Sequence, residues 1–140
     1  MSAKYFLDTN IFVYSLDITA PAKSRRAARL IRDALDTGNG IVSYQVVQEF
    51  FSVAFRRFAK PMSAFAAEEY LNTAFRPLLA VHSSPALFVS ALQIYTQHQF
   101  SWYDSLILAA AKEAGCSILY TEDMQHGKRV DDLKIDNPFR

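Results

Sequence analysis

Short apolar runs, each too brief for a helix, alternate along this chain with longer segments of helical periodicity, and that alternation constrains the fold most. The runs are Tyr5-Phe6-Leu7, Ile41-Val42, Leu78-Leu79-Ala80-Val81 and Ser117-Ile118-Leu119-Tyr120, with Leu133-Lys134-Ile135 as a fifth. Between them lie segments that read as helices over 21–36, 44–57, 63–73, 85–98 and 102–114, after a first short one from Asn10. Ser84-Pro85 supplies a cap followed by proline at the first helical position, and Gly115 stands where a helix ends. Strands alternating with helices predict the α/β class, a mostly parallel sheet of four to five strands covered on both faces. Ligands of such sheets bind beyond the carboxyl ends of the strands, where the strand order reverses.

With 140 residues, half of them apolar, the chain is expected to form one domain, 1–140, with a substantial core. Cys116 is the only cysteine, which excludes an internal disulfide and a cysteine-based zinc site. No apolar run approaches the roughly 18 residues that suggest a membrane span. Met1-Ser2-Ala3-Lys4-Tyr5 has no long apolar stretch, so no signal peptide and a cytoplasmic location are expected. The formal charge is +1, from 15 basic and 14 acidic side chains. Lys23, Arg25, Arg26, Arg29 and Arg32 crowd one segment, and Arg56, Arg57 and Lys60 another. If several acids are withdrawn into a site, the remaining surface is net basic, which is compatible with a polyanionic substrate.

Four acids stand where strands end or helices begin: Asp8, Glu49, Asp104 and Asp123. Like charges brought together repel unless a cation neutralises them, and with oxygen donors alone that cation is a hard one, Mg²⁺ or Mn²⁺. Each acid also has a plain structural use. Asp8, in Asp8-Thr9-Asn10, is a good helix cap, and Asn10 either starts the helix or orients a water. Glu49 falls opposite the apolar stripe of its helix, beside Gln45, Ser52 and Arg56, as a surface glutamate does. Ser101-x-x-Asp104 imitates a capping box, but Asp104 also shares the side of Ile107, Leu108 and Ala111, where a carboxylate needs a partner. Thr121-Glu122-Asp123, ahead of Gly127, commonly makes a turn. His82, His98 and His126 show no metal-ligand spacing, and Arg25, Arg29 and Arg32 read as a solvated helix face.

Phe6-Leu7-Asp8-Thr9-Asn10, Gln48-Glu49-Phe50, Trp102-Tyr103-Asp104-Ser105-Leu106-Ile107, Thr121-Glu122-Asp123-Met124-Gln125-His126-Gly127 and the closing Asn137-Pro138-Phe139 occur in order along the chain. In this the sequence resembles the PIN-domain ribonucleases, and within them the VapC-type toxins of bacterial toxin–antitoxin pairs. The resemblance implies a PIN-like three-layer α/β/α sandwich. It matches Asp8, Glu49, Asp104 and Asp123 to an acidic quartet around Mg²⁺ or Mn²⁺, turns Glu49 toward the cleft, and matches Thr121 to a supporting hydroxyl residue.

The expected activity is that of an endoribonuclease hydrolysing RNA phosphodiesters through a metal-activated water. Asp8 and Asp104 are the expected direct ligands, with Glu49 and Asp123 acting through water or on a second ion, and Asn10 and Thr121 in support. The resemblance further implies 3′-hydroxyl and 5′-phosphate ends, a small antitoxin that enters the acidic cleft, and a homodimer, for which Phe65 and Tyr70 offer aromatic surface. Three other classes use some of the same features. They are a PIN nuclease that processes RNA without being a toxin, a module that binds RNA or protein without cutting, and a phosphohydrolase with an aspartyl nucleophile. The last usually carries a second Asp two residues after the first, where this chain has Asn10.

Overall fold

The structure, a computed structural model, describes residues 3–140; Met1 and Ser2, part of the N-terminal segment read above, lie outside the described residues. The sheet is built from β1 (Tyr5–Leu7), β2 (Gly40–Ser43), β3 (Leu79–Val81), β4 (Ile118–Tyr120), β5 (Arg129–Val130) and β6 (Leu133–Asp136) in the order β3-β2-β1-β4-β6-β5. All neighbours are parallel except β5, which runs antiparallel to β6. Six strands thus stand where four to five were expected. The added one, β5, is a two-residue hairpin arm turned through Asp131 at φ 53°.

The chain first builds outward from β1 through β2 to β3, then returns to place β4 on the other side of β1. The order therefore reverses between β1 and β4. Tyr5, Phe6 and Leu7 pair with Ile118, Leu119 and Tyr120, so the residues that follow Leu7 and Tyr120 leave the sheet side by side. Open parallel sheets favour ligand sites at such a reversal.

Helices cover the sheet. They are α1 (Thr9–Ser15), α2 (Pro21–Thr37), α3 (Tyr44–Arg56), α4 (Ala64–Tyr70), α5 (Pro85–His98) and α6 (Trp102–Glu113), with α1 packed on α2 and α3, and α5 on α6. α2 starts at Pro21 and stops at Gly38, whose φ of 73° a side chain would strain. Gly40 is the first residue of β2. A Cβ there would lie 2.3 Å from the Cβ of Ala34, so glycine lets α2 close onto the strand. The segment expected as a helix over 63–73 is α4 followed by one π-helical turn, Leu71–Phe75.

Phe6, Phe12, Phe50 and Phe75 are fully buried and join the two ends of the core. Phe12 meets Phe75 at 4.7 Å, and Tyr70 stacks on Phe50 at 5.0 Å. Tyr70 is therefore core packing and not free aromatic surface, because its ring completes that cluster. Phe65 is exposed, as expected.

Candidate active site

Asp8 is the first residue beyond β1 and Thr121 the first beyond β4, and strand pairing sets them next to each other. The Asp8 N–H donates to the Tyr120 carbonyl at 3.1 Å, which extends the ladder one residue past the strands. Both oxygens of the Asp8 carboxylate are then occupied. Oδ1 accepts the Thr9 N–H at 2.7 Å, and Oδ2 accepts the Thr121 hydroxyl at 2.8 Å. Asp8 does cap α1, so its structural and functional roles coincide. Only 5% of Asp8 is exposed, and burial pushes its carboxyl up to about 7. The bonds from Thr9 and Thr121 oppose that rise, while the charges of Asp123 and Glu49 add to it.

The Thr121 hydroxyl is shared further. It accepts the Asp123 N–H at 3.1 Å and the Asn10 Nδ2 at 3.3 Å, and Asn10 Nδ2 also donates to Asp123 Oδ2 at 3.0 Å. The turn after β4 is thereby folded back over α1, with Asp123 held at its open side. An amide at position 10 is used for this contact, which leaves no second acid beside Asp8 of the kind an aspartyl-nucleophile enzyme carries.

Glu49 is half-buried on α3, not on the free surface that its periodicity suggests. Its face is closed by the start of α6. Gln45, one turn earlier, donates Nε2 to Glu49 Oε1 at 2.8 Å and to the Tyr103 carbonyl at 3.1 Å. On α6, Ser101 accepts the Asp104 N–H at 3.1 Å as a cap, but the return bond of a full capping box is not among the hydrogen bonds present. The Asp104 carboxylate is half-buried beside the Ser101 hydroxyl.

Burial raises the carboxyls of Glu49 and Asp104 above the ordinary range, offset in part by Gln45 and Ser101 respectively. Neighbouring acids raise them further: Asp104 and Asp123 act on Glu49, and Asp123 acts on Asp104. The charge of Asp123 thus reaches Asp8, Glu49 and Asp104. Even so, no group of three or more His, Cys, Asp or Glu among the described residues stands close enough to hold an ion directly. A hard ion that keeps several waters and takes only one or two carboxylates suits this spacing and donor set, and Mg²⁺ is such an ion. Its charge would also favour ionisation of the buried Asp8.

Glu122 has a different role from its neighbour. It accepts the Tyr14 hydroxyl and the Lys23 ammonium, each at 2.5 Å, and Lys23 lies over the rings of Tyr14 and Phe139. This contact ties the acidic turn to α1, α2 and the C-terminal segment. Lys23 reads in sequence as one cation of a basic stretch, and nothing local predicts a partner 99 positions away. Gln45 was noted only as a neighbour of Glu49, because its second bond depends on how α6 is placed. Arg25, Arg29 and Arg32 lie exposed on α2, as expected of a solvated face. The His126 Nδ1 accepts the Asn137 N–H at 2.9 Å, a loop contact, and His82 packs on Tyr44.

A cavity of about 830 Å³ opens beside the acids, and Glu49, Asp123, Asn10 and Thr9 form part of its wall. The PIN domain family profile matches residues 5–132. No curated protein sequence matches the chain significantly. Among solved structures, the chain is similar to Mycobacterium tuberculosis VapC20, a toxin that cleaves the sarcin–ricin loop. Identity is 21%, the TM-score is 0.63, and the match covers 86% of this chain and 90% of that one. It is also similar to a toxin–antitoxin complex from Klebsiella pneumoniae, at 15% identity and TM-score 0.66 over 96% and 98% of the two chains. A third likeness is to FitAB bound to the IR36 DNA fragment, at 19% identity and TM-score 0.66 over 97% and 96%. At such identities the likeness is one of fold.

Proposed function

The chain belongs to the PIN domain family, and from that premise we propose that it is a divalent-metal-dependent endoribonuclease, the toxin of a toxin–antitoxin pair. The observation that carries this reading is the acidic cleft at the strand-order reversal, where Thr121 and Asn10 join Asp8 to Asp123, and Glu49 and Asp123 share the wall of one cavity. Asp8 and Asp104 would serve Mg²⁺ or Mn²⁺, in part through the ion's own waters, with Glu49 and Asp123 acting through water or on a second ion. When bound, the ion would neutralise the scissile phosphate, lower the pKa of the attacking water and shield the leaving oxygen.

The remaining work falls to side chains. Thr121 and Thr9 hold both Asp8 oxygens, so the buried carboxylate keeps one orientation. Asn10 restrains Asp123 through one oxygen, Oδ2. Glu49, fixed by Gln45 and raised in basicity by its surroundings, would orient the attacking water and accept its proton. The water oxygen bonds to phosphorus as the bond to the 3′-oxygen breaks, leaving a 3′-hydroxyl and a 5′-phosphate. The RNA 2′-hydroxyl takes no part.

The toxin reading rests on the resemblance of the motifs and on neighbours that include a toxin and a toxin–antitoxin complex. The implied antitoxin would present a cation, in the simplest case an arginine, to the acids and so compete with the metal. For the implied homodimer, α5 offers an apolar face of Phe88, Val89, Leu92 and Tyr95, all substantially exposed. No described helix is long and apolar enough to cross a membrane, and we place the protein in the cytoplasm. The test is cleavage of structured RNA with Mg²⁺ or Mn²⁺ by the wild type and by Asp8→Asn combined with Asp104→Asn. Loss of cleavage in the folded variant is expected, and unchanged cleavage rejects the assignment.

A further inference from the structure

The cavity beside the acids continues away from them, and its far end has the opposite charge. Glu49, Val53 and Arg57 follow one another at intervals of four along α3 and into its cap, so they lie along one face. That face leads from the acidic centre over apolar surface to a cation about 12 Å further on. Lys60, three residues later, borders the same cavity. Arg57 and Lys60 are its only basic lining residues, both are exposed, and neither makes a side-chain hydrogen bond or ion pair among the described residues. The adjacent Arg56 differs: its guanidinium donates to the Ser52 hydroxyl at 2.7 Å. The same cavity has an apolar wall that includes Leu16, Ile18 and Phe58, with Ile18 91% exposed. The other acids on the rim are engaged. Asp17 accepts the Thr19 N–H and hydroxyl, and Glu122 accepts Lys23 and Tyr14.

We infer that Arg57 and Lys60 form a phosphate subsite for the single-stranded segment of RNA flanking the scissile bond, with Leu16, Ile18 and Phe58 receiving an unstacked base between that subsite and the acids. The inference rests on the nuclease reading and adds to it where the strand runs. A centre of four acids repels a polyanion, so cations placed beside it are what make approach favourable. A concave apolar wall favours splayed bases over a paired helix, whose bases stay stacked inside. About 830 Å³ is room for a nucleotide or two and not for a duplex.

The experiment uses a fluorescently labelled single-stranded oligoribonucleotide in two assays. Binding is followed by anisotropy in an Asp8→Asn background with Mg²⁺, over a salt series, and cleavage is followed with the acids intact. Arg57→Ala with Lys60→Ala is expected to weaken binding about tenfold and to make the salt dependence shallower by roughly 1.4 in log–log slope, the loss of two phosphate contacts. Single-turnover cleavage should need about tenfold more enzyme for half-maximal rate, with the maximal rate retained. Arg57→Lys should keep most of the binding. If the alanine pair lowers the melting temperature, Arg57→Gln with Lys60→Gln gives the same reading. Unchanged binding and slope, with the wild type still cleaving, would overturn the inference, spare the nuclease reading and leave the cavity to a protein segment. A chain with its acids intact that neither binds nor cleaves RNA would overturn both.

Discussion

The Thr121 hydroxyl donates to Asp8 Oδ2 at 2.8 Å across the point where the strand order reverses. The two residues are 113 positions apart, yet each is the first beyond its strand, so the pairing of Leu7 with Tyr120 brings them together. The bond favours the ionised form of a carboxylate that burial otherwise disfavours. Thr121→Val keeps the shape and removes the donor. The acid limb of the pH–rate profile should then move up by about one unit. A profile that keeps its shape and position at reduced amplitude would mean that Thr121 acts only in packing.

Asp8 also links the site to stability. Its carboxyl is pushed from 3.8 to about 7 in the folded chain, so between those values the folded state binds a proton that the unfolded state has lost. The stability from this group is fully present below about pH 4 and is lost as pH rises through 7. In EDTA, the wild type should therefore lose stability from pH 5 to pH 8 by an amount on the order of a few kcal/mol that Asp8→Asn does not lose. Urea denaturation of both proteins across that range checks this, and parallel curves would refute it.

Gln45 joins Glu49 to the start of α6 through two hydrogen bonds. Removing that tie leaves Glu49 free to turn away from the water it is proposed to orient. Gln45→Ala should lower the maximal cleavage rate by about 10- to 100-fold with little change in RNA affinity. A matching loss in affinity would assign Gln45 to substrate binding instead.

How much of this was legible in the sequence follows from which features are local. α5 matches its expected bounds at both ends because Ser84 and Pro85 mark its start and the left-handed Gln99 follows its end. Asp8 and Asp123 were legible because each follows an apolar run closely. Glu49 was not: its helical face is polar by periodicity, and only the packing of α6 against it makes a cleft. β5 is two residues long and exists only through pairing with β6, so no pattern announces it. The role of Gly40 is not legible either, because a glycine that ends a helix and one that admits a neighbour's Cβ look alike in sequence.

Gly40 gives a direct test of the packing. Gly40→Ala places a methyl 2.3 Å from Ala34 Cβ and 3.2 Å from the Tyr5 ring. It should destabilise the protein by about 1–3 kcal/mol, the usual effect of overfilling a packed core. Ala34→Gly in the same chain should recover part of the loss in urea denaturation, and no recovery would place the strain elsewhere.

The central claim is that Asp8, Glu49, Asp104 and Asp123 serve a common divalent ion, and locating Mn²⁺ by its anomalous scattering in soaked crystals tests it most directly. The predicted result is a peak in the cleft bordered by Asp8 and Asp123, lost in Asp8→Asn combined with Asp104→Asn. A peak confined to other surface acids, or one that persists in the folded double variant, would contradict it.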